Sequence, residues 1–393
     1  MTSPEGTAEL SEGSRHATNL ELFLDLVFVF AVTQVTSFVA HDLTPSGVAK
    51  GLLLAWLAWW QWTAFTWAGT AVDLERDAAK RAMVLTMIPA ALVMAITLPF
   101  ALTTQAIWFA GAYWLVQVWV LALQGIDALA TPDTRRAFVA YAPAAAVAPT
   151  VLVIGSFFSG STRLAIWIVA AVLFVMSALM GGRSDSEWAI DPVHFAERHS
   201  LFVIISLGEV LVAIGANGAG IAEATGLTMI SLAGIVATVA VACVLWWSYF
   251  AYVPKVVEHA LTHPGTGGRG KVARDLFSFG HFPLVCGLIA NAVVAKHVVQ
   301  HPSGHLTSAD RLMLFGSVLL FVGGLMNLQW KSARSVSWVR WATILAVGVL
   351  AACGSFIPGV VTVAGQAIIL GAMAAASWRR FQLTEIGRTL AAG

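Results

Sequence analysis

The stretch "NLELFLDLVFVFAVTQV", residues 19–35, has the run of large apolar side chains that a membrane-crossing helix needs, yet it carries Glu21 and Asp25 into that run. Reading it as a transmembrane helix decides the fold class, and the composition agrees. Of the 393 residues, 58% are hydrophobic and 11% charged, with a mean hydropathy of +0.80, against about 25% charged residues in soluble domains. The chain reads as an all-α, polytopic membrane helix bundle.

Working outward, residues 1–19 are polar and lack the apolar core and small-residue cleavage site of a signal peptide, so they read as a cytoplasmic tail. Apolar runs long enough for a hydrocarbon core about 30 Å thick fall near 20–41, 47–70, 82–101, 105–128, 137–158, 163–181, 195–216, 227–253, 275–298, 311–330, 337–354 and 357–378. This gives about twelve spans, the last two separated only by the Gly/Pro turn "GSFIPGV". Residues 379–393 form a second tail. The tails and even-numbered loops hold 18 of the 22 Lys and Arg residues, and only Lys50, Arg163, Lys296 and Arg311 fall in odd-numbered loops. Basic residues favour the cytoplasmic side, so both termini are expected there. Cys243, Cys286 and Cys353 lie in apolar runs without metal-ligand or disulfide spacing and read as buried small hydrophobes.

The halves echo each other. "LDLVFVFAVT" in the first span and "LGEVLVAIG" in the seventh each carry one acid ahead of an apolar run, and "WWQWTAF" (59–65) is matched by "WWSYFAY" (246–252). Each echo is followed by a charged loop that ends on Arg81 or Arg274. Two six-helix repeats, 20–181 and 182–378, are expected, parallel because six is even.

"ELFLDLVFVFAVTQV", "HFAERHSLFVIISLGEVLVAIG" (194–215), "WWQWTAFTW" with the "DLERDAAKR" that follows it, and "GHFPLVCGLIANAVV" (280–294) together closely resemble the bacterial low temperature requirement protein A (LtrA) family over nearly the whole chain. The resemblance implies a multi-pass inner-membrane protein linked by name to growth in the cold. It implies no substrate or reaction. "FLDLVFVFAVT" is also similar to the "F-S-D-x-V-F-A-I" first helix of the endolysosomal and bacterial potassium channels with six-span repeats. Leu24 stands where those channels have Ser and the seventh span has Gly-Glu for Ser-Asp, so their filter mechanism does not carry over.

Function has to come from the polar residues. An Asp at a helix centre costs about 2.5–3.5 kcal/mol on insertion scales and normally faces the bundle interior. Glu21 and Asp25 are i, i+4 and share a face with Phe28 and Val32. His194, Glu197 and Arg198 form an i, i+3, i+4 cluster at the entrance to the seventh span, and Glu209 lies eleven residues beyond Arg198, close to the bilayer centre. Each has a structural alternative. Glu21 suits a helix N-terminus; Asp25 suits an anchor to Arg198, His281 or a helix end; His194 and His199 suit the interface. Glu209 is the sharpest candidate for an ion or proton site. His281, between Gly280 and Pro283, should sit at a break, because Pro283 cannot donate to the carbonyl of Phe279. Trp56, Trp59, Trp60, Trp62 and Trp67 read as packing and interfacial anchors rather than a binding surface.

"GTGGRGK" (265–271) begins like a phosphate-cradling loop, but Val272 replaces the required Ser/Thr, so a flexible loop is expected. "HFAERH" lacks H-E-x-x-H spacing, and a net charge of +1 gives no pull toward nucleic acid. Two classes remain. Translocation of an ion or small solute through a polar cavity would use Asp25, Glu209, His281, Glu21, Arg198, Glu197 and His194. The alternative is a membrane-embedded enzyme using His194, His199, Glu209 and His281 for acid–base or metal chemistry on a lipid or isoprenoid. No catalytic set, cofactor or metal site is expected. The partners expected are membrane lipids and the ion or solute, with a homodimer left open.

Overall fold

The structure is a computed structural model that describes residues 16–71, 77–129, 131–181, 188, 190–224, 226–263 and 268–383. Among these residues it is all helical. Helices α1 (Asn19–His41), α2 (Pro45–Ala71), α3 (Ala78–Thr97, extended by a 3-10 turn Leu98–Phe100), α4 (Ala106–Ala128), α5 (Pro132–Ser156) and α6 (Gly160–Gly181) make the first half. The second half is α7 (Pro192–Ala224), α8 (Met229–Phe250), α9 (Val253–Thr262), α10 (Arg269–Ala273, continued by a π-turn Arg274–Ser278), α11 (Phe282–Gln300), α12 (Ser308–Ala333), α13 (Trp338–Cys353) and α14 (Gly359–Gln382).

Among the described residues ten helical segments are long and apolar enough to cross a membrane. The other two expected spans are α2 and α13. Helix α2 has the length, 27 residues, but Gln61, Thr63, Thr66 and its tryptophans lower its hydropathy. Helix α13 is short, 16 residues, about 24 Å at 1.5 Å per residue. Every expected span thus overlaps a helix. The loop expected around 254–274 is corrected in part: α9 and α10 occupy much of it, while 264–267, which take in the first three residues of "GTGGRGK", lie outside the described residues. Helix α9 is amphipathic, burying Val253, Val257 and Leu261 at i, i+4, i+8.

Helix α11 is the hub. It touches α1, α2, α7, α8, α12 and α14, and 14 of its 19 residues are buried, as expected of a helix apolar on all sides. Gly287 allows α12 to approach, since a Cβ there would come within 2.7 Å of the Phe321 nitrogen and the Ser317 carbonyl oxygen. Helix α1 packs on α2 and α3, and α3 on α4; α7 packs on α8 and α11, and α11 on α12. Helix α1 also lies along α7, and this seam positions the candidate site. The outer faces of α3 to α8, α13 and α14 carry exposed large apolar residues, among them Trp108, Val172, Val236 and Ile368, which in this class face lipid.

Candidate functional site

The start of α1 is fixed by a capping box: the Glu21 amide donates to Thr18 Oγ1 (3.2 Å), and the Thr18 amide and hydroxyl donate to Glu21 Oε2 (2.9 and 3.0 Å). The helix-start reading of Glu21 therefore holds, but its carboxylate does more. His194 Nε2 lies 3.0 Å from Oε2, and Arg198 Nη1 lies 3.3 Å from Oε1, an ion contact without hydrogen-bond alignment. Arg198 Nη2 donates to Asp25 Oδ1 (2.7 Å), as does the Trp62 indole (2.9 Å). The guanidinium also packs on Trp62 and Phe65, 6.0 and 5.4 Å from their ring centroids. Glu21, Asp25, His194 and Arg198 are all buried. Of the three anchors open to Asp25, the structure uses Arg198. Glu197, on the half-exposed side of α7, accepts from the Ala17 amide (2.9 Å) and contacts His16 Nδ1 (3.2 Å), tying the chain before α1 to α7.

The break at Pro283 is present: a π-turn and a short turn separate α10 from α11, with Pro283 in its first turn. Two carbonyls beside the break take side-chain donors. His281 Nδ1 donates to Leu276 O (2.9 Å) and the Trp59 indole donates to Ser278 O (2.7 Å), while the Trp67 indole donates to Ser278 Oγ (2.9 Å). Because Nδ1 carries the proton, His281 Nε2 accepts from the Tyr249 hydroxyl (2.8 Å). His199 bonds its own helix through Nδ1 and Phe195 O (2.9 Å). Its ring lies 5.0 Å from Trp62 and 5.4 Å from His281, so contacts run from Asp25 through Trp62 and His199 to His281.

Glu209 stands apart. It is buried, one residue past the middle of α7, and about 16 Å along the axis from Arg198. Its Oε2 accepts from the Thr33 hydroxyl of α1, and among the described residues no cationic side chain pairs with it. Asp25 and Glu209 both face protein, but in unlike surroundings.

A family model described as Bacterial low temperature requirement A protein (LtrA) matches residues 16–375. The chain belongs to the LtrA family. This LtrA family member is also 29% identical over 383 residues to the "Uncharacterized protein RA0937" of Rhizobium meliloti (strain 1021), covering 94% of this chain and 90% of that one. No solved structure matches it.

Three residues of this LtrA site are not among the candidates the sequence offers. Trp62 was read as packing, yet it is a hydrogen-bond donor to Asp25. Tyr249 was seen only as part of the repeat echo. Thr33 carried a signal, since it lies two turns beyond Asp25 on a similar face. At the end of the bundle opposite the termini, a vestibule of about 1060 Å³ opens among α1, α2, α3 and α6, lined by Gln34, Ser37, His41, Asp42, Lys50 and Arg163 and by apolar residues such as Phe38, Phe100 and Leu164. Arg163, one of the four basic exceptions, folds onto the Thr103 and Phe158 carbonyls (2.7 and 2.9 Å). The Thr44 hydroxyl and amide hold the Asp42 carboxyl below its usual range.

Proposed function

We propose that this LtrA family protein translocates an ion or small solute along the α1–α7 seam, with Glu209 as the group that exchanges a proton or cation. The observation that carries this reading is a carboxylate buried at mid-helix with a neutral hydroxyl as its partner. A purely structural acid at that depth is expected to hold a countercharge, as Asp25 does. The vestibule supports the same reading: it reaches Gln34, the residue after Glu209's partner Thr33. The Arg198 cluster closes the seam at the other end. A seam closed on one side and open on the other, with a titratable group between, suits gated or alternating access.

The topology proposed with it is a bacterial inner-membrane protein with both termini cytoplasmic. Two parallel six-helix repeats are part of the proposal, supported by the echoed motifs and by first–second, first–third and third–fourth span packing that recurs among α7, α8, α11 and α12. The enzymatic alternative draws less support, since both His281 ring nitrogens are engaged. Purified protein in liposomes tests the choice. Proton or alkali-cation flux above protein-free vesicles is expected. A chemically modified lipid by mass spectrometry, without flux, would replace transport with membrane enzymology.

A further inference from the structure

A second polar site lies at the end of the bundle that carries the termini, between α9, α12, α13 and α14. Arg340, in the first turn of α13, is buried. Its Nη1 donates to Leu325 O (2.7 Å) and Gln329 Oε1 (2.9 Å), its Nη2 to the Tyr252 hydroxyl (2.7 Å), and its Nε has no partner. Every one of these acceptors is neutral. Arg380, in the last turn of α14, donates to Ser337 Oγ (2.8 Å) and lies 5.8 Å over the Trp338 ring. Among the described residues neither arginine has a carboxylate within ion-pair distance, so two guanidinium charges are left without a countercharge at one place.

The surroundings are also donor-rich. Ser337 is the N-cap of α13, but its side chain makes no capping bond; the Arg340 amide donates to the Ser337 carbonyl (3.1 Å), which leaves the Trp338 and Val339 amides uncapped beside the Ser337 hydroxyl. The buried Ser377 hydroxyl has no partner. These groups line one side of a cavity of about 440 Å³ whose polar wall includes Arg340, Arg380, Ser337, Ser377, Gln329 and His259 and whose remaining wall is apolar, from Val253 and Phe381 among others, with no acid in it. Two arginines, an uncapped helix start and an unpaired hydroxyl are complementary to a tetrahedral oxyanion.

We infer that this cavity binds a phosphate group, supplied by an anionic phospholipid head group or by free phosphate. It is independent of the Glu209 seam. Trp338 and Trp341 stand beside it, 67% and 62% exposed, as aromatic side chains do at a membrane interface, and a basic pocket between helices at that level is the form lipid head-group sites take.

The test is native mass spectrometry of the full-length protein with phosphatidylglycerol or phosphatidylcholine, with and without inorganic phosphate. Two variants accompany it. Arg380→Gln removes an exposed charge, and Ser337→Asp places a carboxylate where the phosphate would sit while capping α13. Phosphatidylglycerol adducts that exceed phosphatidylcholine adducts, survive added phosphate and weaken at least about tenfold in either variant would assign the site to lipid. Phosphate binding that displaces the lipid and is lost in the variants would assign it to free phosphate. Equal retention of the two lipids with no phosphate binding, or full binding by folded Arg380→Gln and Ser337→Asp, would overturn the inference.

Discussion

Two carboxylates on the same seam have been treated in opposite ways. Asp25 is held by a guanidinium and an indole, beside a second acid, Glu21, that is itself held by a guanidinium, an imidazole and a capping box. Glu209, about three turns along α7 from Arg198, touches a threonine hydroxyl. The contrast teaches that depth alone does not mark a working acid in a membrane helix. What marks it is whether its charge is compensated in the resting structure. The Arg198 cluster is a brace that fixes α1, α2 and α7 together; Glu209 lies outside that brace.

The largest effect should come from removing the shared cation. Arg198→Met leaves two buried carboxylates facing each other, and breaking a buried pair from one side costs about 3–5 kcal/mol. Denaturant unfolding in detergent should show this as a loss of folded, monodisperse protein. Equal stability of the variant would end the brace interpretation. A smaller loss, about 1.5–3 kcal/mol, is expected of Trp62→Phe, which keeps the aromatic body and removes a hydrogen bond to a charged group. Gly69→Ala probes the brace from α2. Its Cβ would lie 2.6 Å from Glu21 Oε1, and because that carboxylate is held by His194 and Arg198 it cannot swing away, so the cost should be about 1–3 kcal/mol by thermal unfolding. Smallest should be the stability change in Glu209→Gln, below about 1 kcal/mol, since Gln keeps the shape and an oxygen for Thr33. A loss as large as that of Arg198→Met would make the two regions alike.

The spans were legible because length and apolarity are properties of each segment by itself, as α5 and α12 show. Even so, the start of α5 moved outward to Pro132, since Thr131 caps it and a capping residue carries no hydropathy signal. Helix α9 was readable in principle from Val253, Val257 and Leu261 with Pro254 at its start, but it is too short and charged to stand out beside spans of twenty residues. The candidate site was legible by residue type. Glu21, Asp25, His194 and Arg198 were all candidates, yet which cation Asp25 takes depends on how α1 and α7 rotate against each other, and no intrahelical spacing encodes that. The same holds for Tyr249 with His281, which are 32 residues apart, and for Thr33 with Glu209. The phosphate-binding cavity left no sequence signature, because Arg340 and Arg380 read as ordinary residues of a basic face.

The central claim is that Glu209, and not the braced Asp25, exchanges charge during transport. Its most direct test is proton- or cation-coupled flux as a function of pH, in liposomes that hold equal amounts of folded wild-type, Glu209→Gln and Asp25→Asn protein. The account predicts that Glu209→Gln reconstitutes normally and loses pH-dependent flux, while whatever Asp25→Asn remains folded retains it. Unchanged flux and pH dependence in Glu209→Gln, or a loss confined to well-folded Asp25→Asn, would contradict it.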